Sequence, residues 1–203
     1  MDRVIHFTYL KGIIPESLIT EIREVLAEKE IEFSCEDISG LPQAAWEELV
    51  APLLLVLSSD ITRSFLIGLA SSAAYDFLKW TVLQIWRNVS GKKIYITYAS
   101  GDTRAKDADL DLEIRYDGQR IKFRLKGDIP DSLKEKCIEQ VFDLAKQRER
   151  QSESENEQFR PTRGFIALYD VKKDSWEILE DHDFIAKYVK KKRGLQGGAP
   201  DRR

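Results

Sequence analysis

Two alternating segments on either side of the dipeptide Asp117-Gly118 constrain this chain more than any other feature. Residues 110–116 and 119–126 both alternate apolar and charged side chains, which is typical of strands that turn one face toward a core. Asp-Gly is a preferred two-residue hairpin turn, because both central residues need a positive φ that these residue types tolerate. The segments therefore predict an antiparallel hairpin in which the turn sets the partner of every residue.

The predicted register gives each face of this hairpin one kind of pair. Apolar residues face one another in the pairs Leu110–Leu125, Leu112–Phe123 and Ile114–Ile121. Oppositely charged residues face one another in the pairs Asp109–Lys126, Asp111–Arg124 and Glu113–Lys122. A shift by one residue would destroy both patterns together, so the register is strongly specified. Each charged pair contributes only about 0.2–1 kcal/mol and also helps to fix the register.

The same carboxylates suggest a different chemistry as well. Asp107, Asp109, Asp111 and Glu113 occupy every second position, so on a strand they would project from one face and offer ligands for magnesium or calcium. A calcium loop of the EF-hand type is excluded, because it would need glycine where Leu112 stands. We favour charge pairing over a metal site, because the facing basic residues already neutralise these carboxylates.

Apolar residues concentrate in residues 49–86. We predict one helix from Ile61 to about Arg87, because its apolar residues recur at helical spacing and cover more than half of its circumference. The longest uncharged windows are the eleven residues 49–59 and the twelve residues 64–75, whereas a bilayer span needs about 20. A stable transmembrane anchor is therefore not expected.

Three interpretations of the apolar helix remain open. The commonest in a soluble chain is a helix buried in the protein's own core. The second is an interface with another chain, formed by the apolar residues Leu66, Leu69, Ala73, Phe77 and Trp80. The third is a segment, residues 53–86, that inserts into a membrane after a trigger. Anionic lipid would then be attracted by the basic residues Lys190, Lys191, Lys192 and Arg193.

The first ninety residues predict a short β-α-β unit ahead of the apolar helical region. Strands are expected over residues 4–9 and 31–35, and Pro15 begins a helix between them. The connection is long enough for a parallel pair, although a helix packed on an antiparallel sheet fits the same pattern.

The second half predicts an antiparallel sheet that carries two helices. Besides the hairpin, strands are expected at 93–98, 164–171 and 175–179, and helices near 130–148 and 181–193. We therefore expect an α+β fold with an N-terminal lobe over residues 1–90, a sheet lobe over 91–193 and a flexible tail over 194–203.

Composition and charge argue against several classes of protein. The net charge of −3 disfavours nucleic acid as a partner. Cys35 and Cys137 have no Cys or His at a metal-ligand spacing, so we expect no metal, no cofactor and a reducing, cytoplasmic environment. The N-terminal residues lack the apolar run of an export signal. His6 and His182 are the only histidines and accompany no nucleophile motif, so no catalytic residue is predicted.

These observations favour a small intracellular protein that is not an enzyme and that associates with a protein partner or with itself. The predicted interface is the helix over residues 64–86. One alternative is a membrane-active effector that inserts residues 53–86. Another is a divalent-metal-dependent hydrolase or nuclease that uses Asp102, Asp107 and Asp109.

Overall fold

The computed structural model describes residues 3–39, 53–68, 73–97, 101–116, 118–154 and 163–189. Its strands are β1 (Val4–Tyr9), β2 (Glu32–Asp37), β3 (Leu53–Leu57), β4 (Lys93–Thr97), β5 (Thr103–Asp107), β6 (Leu110–Tyr116), β7 (Gln119–Leu125), β8 (Arg163–Asp170) and β9 (Ser175–Glu180). Its helices are α1 (Glu16–Ala27), α2 (Ser59–Gly68), α3 (Ala73–Val89), α4 (Asp131–Ser154) and α5 (Asp181–Phe184), and a π-helix over Ile185–Val189 follows α5. The protein belongs to the α+β class, as predicted.

Seven strands form one mixed sheet in the order β2-β1-β3-β6-β7-β8-β9. The pairs β1–β2, β3–β6 and β7–β8 are parallel, and the pairs between them are antiparallel. Each parallel pair is joined by helices, because parallel neighbours need a crossover that returns the chain to the same end of the sheet. The predicted β-α-β unit is confirmed, and of the two pairings left open for its strands the structure has the parallel one. The second half is not antiparallel throughout, since α4 crosses between β7 and β8.

Several element boundaries differ from the prediction. The predicted helix over 61–87 corresponds to α2 and α3, and residues 69–72 between them lie outside the described residues. Helix α4 runs to Ser154, beyond the expected end near residue 148. The sheet contains strands from both sides of residue 90, so its hydrogen bonds cross from one predicted lobe to the other. The predicted tail, residues 194–203, also lies outside the described residues.

The hydrophobic core lies between this sheet and the helices α1, α3 and α4. Leu112 and Ile114 of β6 belong to the same buried cluster as Trp86 of α3 and Phe142 of α4. The indole N–H of Trp86 donates to the backbone carbonyl of Lys126 at 3.0 Å, which fixes α3 to the end of β7. Because α3 contacts both α1 and α4, the three helices form one layer over the sheet.

The opposite face of the central strands carries charged side chains and is partly covered by α5. Phe184 is buried, and the guanidinium carbon of Arg124 lies 6.0 Å from the centre of its ring. Arg120 donates to the carboxylate of Asp181 at 2.9 Å and holds the start of α5 against β7. A side chain at Gly164 would collide with that carboxylate, which lies 1.9 Å from the position of an added Cβ. Glycine at this position therefore leaves room for the ion pair between Arg120 and Asp181.

Candidate interaction surface

Strands β4 and β5 form a two-stranded antiparallel ribbon that is separate from the seven-stranded sheet. Among the described residues neither strand pairs with any other. We refer to residues 93–107, apart from 98–100, which the structure does not describe, as the ribbon. Its backbone groups on the two outer edges are therefore not engaged by a strand of the described chain, which is the arrangement that accepts an added strand.

The base of the ribbon is anchored in the core. Ile94 is only 2% exposed and belongs to the main hydrophobic cluster. The backbone N–H of Ala108 donates to the carbonyl of Lys92 at 2.9 Å and closes the base of the ribbon. The chain at Gly127 passes so close that a Cβ there would lie 3.3 Å from the carbonyl oxygen of Ala108. The ribbon is therefore held firmly at one end.

The most exposed large apolar side chain among the described residues is that of Tyr95, at 73%. Tyr95 lies on β4 next to the buried Ile94, so its side chain projects from the opposite face of the ribbon. Its cross-strand partner is Ala105, whose small side chain leaves the ring of Tyr95 uncovered. Beside it, Lys93 donates to the carboxylate of Asp107 across the ribbon. The sequence prediction missed this exposed aromatic, because alternation alone does not show which face of an isolated strand is covered.

Strand β5 carries basic side chains along its face opposite Tyr95. Arg104 and Lys106 are two positions apart, so they project from the same face of the strand. Lys106 faces Ile94 and Arg104 faces Ile96 in the β4–β5 register. The ribbon thus combines an exposed aromatic on one face with two cations on the other.

In the predicted interface helix, residues 64–86, the structure describes the side chains from residue 75 onward, and this part is largely internal. In α3, Leu78, Val82 and Ile85 are buried in the core. Trp80 is half-buried and packs against the same core. Phe77 is half-buried, and the ammonium of Lys29, in the turn after α1, lies 4.8 Å from the centre of its ring. The side chains of the other predicted interface residues lie outside the described residues: Leu66, Leu69 and Ala73. The described part of α3 therefore fits the interpretation of a helix buried in the protein's own core.

Two of the three predicted charge pairs on the central hairpin are confirmed. Arg124 donates to the Asp111 carboxylate at 3.0 Å, and the nearest atoms of Lys122 and Glu113 are 3.9 Å apart. Glu113 also accepts a hydrogen bond from Arg115 at 2.7 Å. Both carboxylates are almost completely buried, so the hydrogen bonds and charges of their basic neighbours must replace the water that each has lost.

The third predicted pair, Asp109 with Lys126, is replaced by a different contact. Asp109 precedes β6 and accepts a hydrogen bond from the backbone N–H of Gly127 at 3.3 Å, rather than contacting Lys126. Burial raises the pKa of Asp109 against the opposing effects of that hydrogen bond and of the Arg124 charge. Burial by itself would lower the pKa of Arg124, but the facing Asp111 carboxylate outweighs it and raises that pKa. The cluster therefore keeps Arg124 charged within the sheet.

The candidate catalytic and metal-binding residues are dispersed. Within the described ranges no three His, Cys, Asp or Glu side chains converge on a point that suits a metal ion. Asp107 is engaged with Lys93 on the ribbon, whereas Asp109 lies at the end of the main sheet. His6 is exposed on β1, and His182 lies 3.1 Å from the Asp183 carboxylate.

Two predicted features concern a membrane: the apolar helical segment and the basic cluster near the C-terminus. In the part of the chain that the structure describes, no helix has the length and apolar content needed to cross a bilayer. The basic cluster Lys190, Lys191, Lys192 and Arg193 lies outside the described residues.

Comparison of the chain with protein-family models, with curated proteins and with solved structures finds no significant match.

Proposed function

We propose that this protein acts by binding another protein chain, and that the ribbon forms the binding surface. The observation that carries this proposal is the position of Tyr95, a 73% exposed aromatic on a ribbon that stands outside the main sheet. Tyrosine is enriched among the residues that dominate binding energy, because it buries a large rigid area and keeps a polar tip for hydrogen bonding.

The architecture of the ribbon supports the same proposal. A two-stranded hairpin by itself is only marginally stable in water. Among the described side chains of this ribbon, the buried one is that of Ile94 at its base. An extended partner segment that pairs with an outer edge would satisfy backbone groups and cover the ring of Tyr95. Association would therefore complete a sheet that the described chain leaves two strands wide.

The proposal keeps the predicted kind of function and changes the predicted surface. The helix over residues 64–86 was expected to bind a partner because it has more apolar surface than an amphipathic helix needs. The buried side chains of α3, among them Leu78 and Val82, now account for much of that surface within the protein's own core. The ribbon offers both an uncovered aromatic and open strand edges, so it replaces the helix as the proposed interface.

Site-specific photocrosslinking tests the proposed interface. A photoreactive amino acid at position 95 should give defined crosslinks to a protein in the native host. A matched control places the same group at Val171, which is 47% exposed in the β8–β9 turn, far along the chain from the ribbon. The Val171 position should give no such crosslinks. Equal crosslinking from both positions, or none from position 95, contradicts the proposal.

A further inference from the structure

The charged face of the central strands keeps two ion pairs largely out of water. Asp111 and Arg124 lie opposite each other on β6 and β7, and so do Glu113 and Lys122. Both carboxylates are buried, and the side chains of the two cations are only 11% and 12% exposed. Burial of charged groups costs free energy, which the attraction between the partners often fails to offset. A motion that admits water to this face therefore regains part of that cost.

The last described segment of the chain folds over part of this face. We refer to residues 181–189, which comprise α5 and the π-helix, as the strap. The strap begins directly at the end of β9 and contacts both β9 and β8. The ring of Phe184 reaches as far as Arg124 of β7. The strap thus crosses the charged face from β9 toward the central strands.

The described side chains of the strap include one that is buried, Phe184. Two ion pairs, Asp181–Arg120 and Lys187–Glu177, join the strap to the sheet, and their side chains are partly exposed. Ion pairs in contact with water contribute little to stability, because solvent and salt weaken them. Of the contacts made by these three strap side chains, the burial of the aromatic ring is therefore the strongest.

The backbone of the strap also depends on its contacts with the sheet. The four residues of α5 are far too few for a helix that is stable by itself. The five-residue π-helix that follows is a rare conformation, found frequently at functional sites. A segment of this kind forms only where packing holds it.

We propose that the strap is a conformational switch, which opens about the junction of β9 and α5 while the rest of the fold stays intact. Opening takes the ring of Phe184 off the sheet and admits water to the pair of Arg124 and Asp111. The cost of exposing the ring is then offset in part by the hydration of the charges. The open form presents a charged sheet face that the closed form hides. This switch is independent of the ribbon, so it goes beyond the proposed function.

Native-state amide hydrogen exchange tests whether the strap opens by itself. Amides of residues 185–189 should exchange at least about a hundredfold faster than those of residues 137–142 in α4, after correction for intrinsic rates. Low concentrations of urea should leave exchange in the strap unchanged, because a local opening exposes little surface, and should accelerate exchange in α4. A urea dependence equal to that of α4 means that the strap opens only with the whole protein, which overturns the inference.

Two truncations of phenylalanine separate the strap from the core. The rings of Phe184 and Phe142 are both almost completely buried. The Phe142→Ala variant removes a core ring and should raise the equilibrium constant for unfolding at least about a hundredfold. The Phe184→Ala variant should raise it less than about tenfold, because the loss cannot exceed the free energy of local opening. Equal effects of the two variants on global unfolding contradict the inference.

The Gly164→Ala variant disturbs the closed strap without removing any of its side chains. The added Cβ would lie 1.9 Å from the Asp181 carboxylate, so it should displace the ion pair with Arg120. Exchange in the strap should then accelerate by up to about fivefold, the value of an exposed ion pair. In an Asp181→Ala background the same substitution should have no effect on exchange, because nothing is left to displace. An acceleration that persists in that background contradicts the inference, since the ion pair would then have no part in closing the strap.

Discussion

Two consecutive hairpins of this chain, β4–β5 and β6–β7, have opposite environments. Strands β4, β6 and β7 alternate apolar and polar residues, and both hairpins pair a carboxylate with a cation across the strands. Strands β6 and β7 lie in the middle of a seven-stranded sheet, with a further strand on each side. Among the described strands, β4 and β5 pair only with each other. The difference shows that a hairpin with a cross-strand ion pair can lie in the core or at the surface, and that its neighbours in space decide which.

The two carboxylates Asp111 and Asp107 make this comparison quantitative. Asp111 pairs with Arg124 across the central hairpin, and its side chain is 0% exposed. Asp107 pairs with Lys93 across the ribbon, and its side chain is 69% exposed. The same type of interaction is thus present in a buried and a solvated setting, where its removal has very different costs.

Replacement of Asp111 by alanine is expected to have the largest effect on stability. The Asp111→Ala variant should lose about 3–5 kcal/mol of unfolding free energy, because the Arg124 charge would remain buried without its partner. Urea unfolding monitored by circular dichroism measures the loss. Adding Arg124→Met on the same background should recover part of it, since the uncompensated charge is then removed. A loss below about 1 kcal/mol would mean that the buried Asp111–Arg124 pair contributes no more to stability than an exposed ion pair does.

Truncation of Ile94 should have the next largest effect. The Ile94→Ala variant is expected to lose about 2–3 kcal/mol, because it removes the buried side chain that anchors the ribbon. Amide hydrogen exchange should then speed up in β4 and β5 more than in β6 and β7, since the ribbon loses its main attachment. Uniform exchange across both hairpins would show that the ribbon is not an independent unit.

Removal of Asp107 should have a small effect. The Asp107→Ala variant is expected to lose only about 0.2–1 kcal/mol, because its ion pair with Lys93 is solvated. The same urea titration that measures Asp111→Ala provides the comparison. An equal loss for the two variants would mean that burial of the pair does not govern its contribution.

Replacement of Tyr95 should have the smallest effect on stability and a clear effect on binding. The Tyr95→Ser variant is expected to stay within about 0.5 kcal/mol of the wild type, because the ring is largely in water. Its dissociation constant for the partner identified by crosslinking should nevertheless rise about tenfold or more, as expected for an aromatic at the centre of an interface. The control variant Val171→Ser removes an exposed apolar side chain that lies outside the ribbon, so it should leave that dissociation constant unchanged.

Much of the central hairpin was predictable from the residues themselves. The pairs Asp111–Arg124 and Glu113–Lys122 follow from the Asp-Gly turn and from alternation, and both are present. Asp109 departs from the register because β6 begins at Leu110, where the main chain turns toward the ribbon. The cross-strand register predicts partners only for residues that lie within the paired strands.

The candidate binding surface was less predictable. Strand β5 contains Arg104, Lys106 and Asp107 with little apolar content, so it shows no burial pattern that would identify it as a strand. Its pairing with β4 depends on a turn near Gly101 and on the anchoring of Ile94 in the core. The exposure of Tyr95 follows from that anchoring, because the two neighbours project from opposite faces of the ribbon.

The sequence by itself determined the α+β class, the order of strand, helix and strand in β1-α1-β2 and the register of β6 with β7, because each depends on patterns within a short stretch of chain. Only the tertiary structure decided that β3 and β6 are neighbours, that α3 fills the core and that the ribbon remains outside the main sheet. These outcomes depend on contacts between residues distant in sequence. Periodicity indicates that a segment has an apolar face, but it carries no information about which other segment will cover that face.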